Sequence, residues 1–198
     1  YPPSEKYKVP ELAIGERRIL SVDVALMASK KNKNNDASSI FVNSCIPNSN
    51  NNYISNIVYA ENHEGLTTDE LGIIIMRLFY KMKCTDIALD TVGNGLGVYD
   101  FIIKNQLDPE TGEIYPALSC CNNKDMEERC KVKGANKVVW CIKANQSFNN
   151  EMCTMLRAGF KNGKINLLVS EFEAEEILKE RIKGYSKMSL VEQTNKKM

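Results

Sequence analysis

Asp23 and Asp90 are the residues of this chain best suited to chemistry. Asp23 stands inside an apolar run, Arg18-Ile19-Leu20-Ser21-Val22-Asp23-Val24-Ala25-Leu26. Asp90 closes a second run, Ile87-Ala88-Leu89-Asp90, and leads into Thr91-Val92-Gly93-Asn94-Gly95-Leu96-Gly97. Short aliphatic runs bounded by polar or Gly-rich sequence read as buried strands. A carboxylate in such a strand is costly unless it is paired, hydrogen-bonded or bound to a metal. If the two strands are neighbours, the carboxylates repel, and a divalent cation relieves the repulsion. Asp36 opens the next strand and is a possible third member of the cluster, although an Asp there more often just terminates a loop.

Other polar residues carry less. His63, the only histidine, stands between Asn62 and Glu64 with nothing nearby to make a catalytic pair, and reads as a solvated loop position. Asp100, one turn into a helix, reads as a dipole partner or surface residue. Lys30, Lys31 and Lys33 crowd one polar loop. A charge run is usually a solvated surface, but this one leaves the strand that bears Asp23 and is a candidate contact for a DNA backbone.

The elements that must position these residues follow a clear order. Residues 19–26 form a first strand, 28–36 a polar loop, 37–44 a second strand, 47–52 an Asn- and Ser-rich turn and 53–61 a third strand. Short connections predict an antiparallel meander. Thr67 and Glu70 have capping-box spacing, and Leu71, Ile74, Ile75, Leu78, Phe79 and Met82 follow at helical spacing. Strand, helix, strand predicts a right-handed crossover that sets the Asp90 strand parallel to one of the first three. A helix over 97–106, strands over 115–121 and 138–142, and a loop or short helix over 122–137 come next. The pattern continues with a helix over 148–160, whose Met152, Met155 and Leu156 are expected in the core, and a C-cap at Asn162-Gly163. An extended piece over 165–169 and an acidic-then-basic helix over 172–183 end it. No internal repeat is visible.

Composition narrows the class. At 198 residues the chain is long enough for one domain with a sizeable core. Lys+Arg 26 against Asp+Glu 25 gives a net charge of +1, so any case for nucleic acid rests on local patches. The seven cysteines form no CxxC pair, which predicts reduced thiols and a cytosolic setting. No signal peptide or long apolar segment predicts secretion or a membrane span. Residues 1–17 read as a linker from an upstream domain, and 18–198 as the domain itself, with both ends looking cut.

Three antiparallel strands, a helix, then alternating parallel strands and helices is the ribonuclease H-like order. The expected fold is therefore α/β, with a central mixed sheet of five or slightly more strands flanked by helices. In that order the first and fourth strands are central neighbours, which brings Asp23 beside Asp90.

Three stretches resemble the C-terminal nuclease domain of a tailed-bacteriophage terminase large subunit. Ile19-Leu20-Ser21-Val22-Asp23-Val24-Ala25 resembles the family's first acidic motif. Ile87-Ala88-Leu89-Asp90-Thr91-Val92-Gly93-Asn94-Gly95-Leu96-Gly97-Val98 resembles the second, an acidic residue followed by a Gly-rich turn into a helix. Met155-Leu156-Arg157-Ala158-Gly159-Phe160-Lys161-Asn162-Gly163-Lys164-Ile165-Asn166-Leu167-Leu168 resembles a segment common in terminases of phages and prophages of low-GC Gram-positive bacteria. The resemblance spans residue 19 to the C-terminus. It implies cleavage of concatemeric double-stranded DNA during genome packaging in the host cytoplasm, with Asp23 and Asp90 as catalytic metal ligands for two Mg2+ or Mn2+ ions. It also implies a terminase ATPase domain, a small terminase subunit and a portal protein as partners. The isolated domain is expected to be a monomer.

The departures from that pattern have consequences. The family's third acidic residue, usually Asp, lies on a late helix, yet this chain has no Asp after Asp125. The late carboxylates are Glu171, Glu173, Glu175, Glu176, Glu180 and Glu192. The third ligand is expected beyond Met198. No GxxxxGK[ST] phosphate loop occurs, so the ATPase half is not in this sequence. Two alternatives stand beside the nuclease: a catalytically incomplete DNA- or protein-binding module of the packaging motor, and another ribonuclease H-like nuclease of resolvase or integrase type.

Overall fold

The computed structural model describes residues 9–25, 37–48, 52–168, 171–189 and 193. The chain divides into two compact units, Tyr1–Asn166 and Leu167–Met198. In the first unit three strands come first: β1 (Arg17–Asp23), β2 (Ser38–Asn48) and β3 (Asn52–His63). They form the expected antiparallel meander, with Val22 opposite Ile40 and Val42 opposite Tyr59. Helix α1 (Thr68–Lys81) follows and begins with the predicted capping box. The backbone N–H of Glu70 donates to Thr67 Oγ1 (3.3 Å), and the Thr67 N–H donates to Glu70 Oε2 (2.8 Å). Two donors that helix geometry leaves unpaired are thereby satisfied.

The chain then crosses to β4 (Asp86–Asp90), which pairs parallel to β1. After α2 (Asn94–Ile102) come the two-residue strands β5 (Gln106–Leu107) and β6 (Ile114–Tyr115), paired with each other, and β7 (Leu118–Cys120). The expected single strand over 115–121 is therefore split, with Pro116 between its two parts. Helix α3 (Lys124–Arg129) leads to β8 (Asn136–Ile142), α4 (Gln146–Lys161) and β9 (Ile165–Asn166). The main sheet among the described residues is mixed and seven-stranded, in the order β7-β8-β4-β1-β2-β3-β9. The expectation is a mixed sheet of five or slightly more strands; β7 extends one edge and β9 adds to β3 at the other.

One face of this sheet carries the core. Leu20 and Val22, Ile40 and Val42, Ile87 and Leu89, and Val139 and Cys141 alternate inward along their strands. They meet Leu71, Ile75, Met76, Leu78 and Phe79 of α1 and Val98, Tyr99 and Ile102 of α2. Gly72 lets the two helices close up, since a Cβ there would lie 2.4 Å from the Phe101 ring. Buried charge in this layer is paired. Asp108 is fully buried and takes two hydrogen bonds from Arg77 of α1, at 2.7 and 2.9 Å. Before β1, Glu16 Oε1 accepts from buried Arg18 at 3.0 and 2.8 Å and from Ser44 Oγ at 2.8 Å.

Helix α4 departs from expectation. None of its side chains is buried, and Met152, Met155 and Leu156 are 39%, 59% and 51% exposed. Gly159 seats the helix against Ile165 of the edge strand β9, where a Cβ would come within 2.6 Å of the Ile165 side chain. The helix ends at Asn162, followed by Gly163 at φ 62°, as the Asn-Gly pair predicts.

The second unit contains α5 (Glu171–Arg181) and a 3-10 turn, Tyr185–Lys187. Gln193 Nε2 donates to the carbonyls of Tyr185 and Met188, at 3.2 and 3.0 Å. Lys179 of α5 pairs with Glu175 and Glu176. No helix of the described residues is long and apolar enough to cross a membrane.

Candidate metal centre

Parallel pairing of β1 with β4 runs from Ile19 opposite Asp86 to Val22 opposite Leu89. The next residues are Asp23 and Asp90, each the last of its strand. Adjacent strands lie about 4.8 Å apart, so residues at one level of two neighbours are side by side. Val22 and Leu89 point into the core. By alternation, Asp23 and Asp90 belong to the opposite face, which α1 and α2 do not cover.

The two carboxylates differ in surroundings. Asp23 is exposed and makes no hydrogen bond or ion pair among the described residues. The expectation of a carboxylate buried mid-strand is thereby corrected: β1 ends at Asp23, on the open face, and burial does not by itself demand a partner there. Asp90 is half-buried, and its Oδ1 accepts from the Val92 backbone N–H at 2.9 Å. That Asx-type turn is a structural role for Asp90, and it also fixes the carboxylate while leaving Oδ2 without a hydrogen bond among the described residues. Behind it the backbone is tight. A Cβ on Gly95 would stand 1.7 Å from the Asp90 carbonyl oxygen, so only glycine lets α2 start this close to the strand end.

The same level of the sheet continues across β2 and β3. Ser39 lies opposite Asp23, and its Oγ donates to Asn62 Oδ1 at 2.8 Å. These are neutral oxygen-bearing side chains beside the carboxylates. Two carboxylates at the ends of adjacent strands are a donor set that fits a hard divalent cation. Among the described residues no group of three or more His, Cys, Asp or Glu side chains is placed to hold a metal. Asp36 and the loop lysines Lys30, Lys31 and Lys33 lie outside the described residues. Of the late glutamates, Glu175 and Glu176 are engaged with Lys179.

His63 differs from the sequence reading. It ends β3 rather than sitting in a solvated loop, and its Nε2 is 3.0 Å from Glu61 Oε1. That contact lacks hydrogen-bond alignment. Glu61 also accepts a hydrogen bond from the Tyr59 hydroxyl. Asp100 forms a two-pronged ion pair with Arg129, at 2.9 and 2.5 Å, which is a structural use.

Sequence reasoning missed a second feature of the open face. Two residues at a time back along the strands from Asp23 and Asp90 lie Ser21, Ile19 and Arg17 on β1, and Ala88 and Asp86 on β4. Trp140 on β8 is opposite Ala88. Asp86 accepts from Arg17, from Thr85 Oγ1 at 2.7 Å and from Trp140 Nε1 at 2.9 Å. Burial pushes the Asp86 carboxyl up, but these three donors outweigh it and hold it below the ordinary carboxylate range. The Arg17 guanidinium lies over the Trp140 ring, 5.9 Å from its centroid. Beside them is a cavity of about 500 Å³ that reaches Ile142 and Lys143, level with Asp90. The signal was available in the sequence: the period-2 positions counted back from each acidic residue name Arg17 and Asp86 directly.

No family model matches this chain, and a search of curated proteins finds no match.

Proposed function

We propose that this chain is a divalent-metal-dependent DNA endonuclease domain of ribonuclease H-like fold, the nuclease part of a phage terminase large subunit. The observation that carries the reading is the parallel β1–β4 pair at the middle of the sheet, with Asp23 and Asp90 ending the two strands at one level on one face. The strand and helix order supports the fold, and the three motif resemblances support the family. Concatemeric double-stranded DNA is the substrate on this reading, and the ATPase domain, small subunit and portal are the partners in the host cytoplasm.

Bound Mg2+ or Mn2+ would supply a hydroxide near neutral pH and stabilise the leaving oxygen. The chain's own residues do the rest. Asp23 and Asp90 hold and orient the cation. The Val92 N–H keeps the Asp90 carboxylate in one rotamer, and Gly95 lets α2 begin directly behind it. On this reading Lys30, Lys31 and Lys33 are contacts for the DNA backbone.

A specific observation favours a second reading. Among the described residues no group of three or more His, Cys, Asp or Glu side chains is placed to hold a metal, and two ions need more ligands than two carboxylates. A module that binds DNA without cutting it fits that donor set. Plasmid nicking by the purified chain in Mn2+ separates the two. Cleavage that stops with chelator, and falls at least 100-fold in both Asp23→Asn and Asp90→Asn, supports the nuclease. Cleavage that survives either change refutes the site. Mn2+ binding without cleavage selects the DNA-binding module.

A further inference from the structure

We infer that the cavity on the open face of β1, β4 and β8 is a binding pocket for one unpaired nucleotide of a DNA strand. This rests on the proposed function, since it places the strand beside Asp90. The cavity holds about 500 Å³, ample for a base and its phosphate, and lies on the face that carries both acidic residues. Two aromatic side chains line it, Trp140 and Phe148, over an aliphatic floor of Ile19, Ala88 and Ile142. Trp140 is 41% exposed although it stands on an inner strand, so its ring presents a stacking surface. Base–aromatic stacking tolerates any sequence, which suits an enzyme that cuts without a fixed site.

The charges at the rim select an anion. Asp86 is already neutralised by Arg17. Arg17 gives Asp86 its Nε and one terminal nitrogen, and its Nη1 makes no hydrogen bond among the described residues. Lys143 lines the same cavity with no carboxylate paired to it among the described residues. Lys143 and Arg17 both line this aromatic cleft, so a phosphate bound there has two cations to meet. Lys143 follows Ile142, which is opposite Asp90, so the phosphate it holds lies next to the acidic pair.

Trp140 is the only tryptophan of the chain, so its fluorescence reports on this pocket alone. The chain is titrated in EDTA, where no cleavage occurs, with hexathymidylate, with an abasic oligomer of the same length, and with a blunt 12-base-pair duplex. The expected result is saturable quenching by hexathymidylate, little by the abasic oligomer or the duplex, a tenfold or greater loss of affinity in Lys143→Glu and a several-fold loss in Phe148→Ala. Absence of saturable quenching overturns the inference. So does equal quenching by the abasic oligomer or the duplex, or full affinity in Lys143→Glu with near-ultraviolet dichroism intact. Quenching in a chain that neither cleaves DNA nor binds Mn2+ supports the pocket while refuting the nuclease. Cleavage without quenching does the reverse.

Discussion

The two faces of the central sheet are built on opposite terms. On the covered face the buried charged groups among the described residues are paired: Asp108 lies fully buried against Arg77, and Glu16 is locked to Arg18 and Ser44. On the other face Asp23 stands exposed with no partner among the described residues, and Phe41 and Trp140 are 39% and 41% exposed. Burial and pairing on one side produce stability. On the other, Asp86 is likewise paired with Arg17, but at the strand ends Asp23 is left exposed to meet a ligand. The faces alternate residue by residue along the same strands, so Leu89 and Asp90 are neighbours in sequence with opposite tasks.

The largest effect should come from the covered face. Leu89→Ala removes a fully buried side chain between the sheet and the two helices. Leu-to-Ala changes in cores cost roughly 2–5 kcal/mol, so about 3–4 kcal/mol is expected here. For a chain of this size that lowers the melting temperature by roughly 6–16 °C, at about 2–4 °C per kcal/mol. A shift under 2 °C by calorimetry would mean that this face is not the core.

A buried ion pair gives the next effect, and its sign depends on pH. The Arg77 hydrogen bonds, against a smaller cost of burial, hold the Asp108 carboxyl well below the ordinary range. A depressed folded value contributes stability above the ordinary carboxylate value near 4, and the contribution disappears as pH falls through the folded value. Wild type should therefore lose stability below about pH 4 more steeply than Asp108→Asn. At pH 7 that variant should be less stable by roughly 3 kcal/mol, since breaking one side of a buried pair strands the other charge. Parallel acid curves for the two proteins would remove Asp108 from the account.

How much of this contrast is legible in the sequence depends on the range of the interaction. The start of α1 is legible because Thr67 and Glu70 satisfy each other locally. The β1–β4 neighbourhood is legible because crossover handedness leaves few options for a strand after one helix. The exposure of α4 is not. Met152, Met155 and Leu156 announce an apolar stripe, but helical spacing cannot say what covers it, and Gly159 against Ile165 decides its seat. β9 pairs with β3 through Ser55 and Asn56 alone, too short a match to read in advance. The exposure of Asp23 was missed because an apolar run does not reveal where its strand ends. The Trp140 cavity needed three strands in register before its residues came together.

Smaller effects should mark the open face. Trp140→Phe keeps the ring bulk and loses the Nε1 donor to Asp86, which retains Arg17 and Thr85. About 1 kcal/mol is expected, the usual contribution of one hydrogen bond. A loss above 3 kcal/mol in urea unfolding would make Trp140 a core residue rather than the wall of an open cleft.

The smallest stability change should come from the residue with the largest functional role. Asp23 is exposed and pairs with nothing among the described residues, so Asp23→Asn removes no packing and no internal bond. In EDTA its effect should fall within about 0.5 kcal/mol, as for surface changes generally. The sign should favour the variant, because relief of repulsion toward Asp90 is the only term left. Mn2+ should then separate the two proteins. An ion that binds only the folded state stabilises by RT ln(1 + [L]/Kd), about 2.7 kcal/mol at a hundredfold excess over Kd. Wild type should therefore melt roughly 5–11 °C higher in saturating Mn2+ than in EDTA, at about 2–4 °C per kcal/mol. Asp23→Asn should show little of that gain. An equal gain in both proteins would place the ion elsewhere and break the link between the open face and metal. Destabilisation by Asp23→Asn in EDTA would break the contrast itself, because Asp23 would then be holding the fold together.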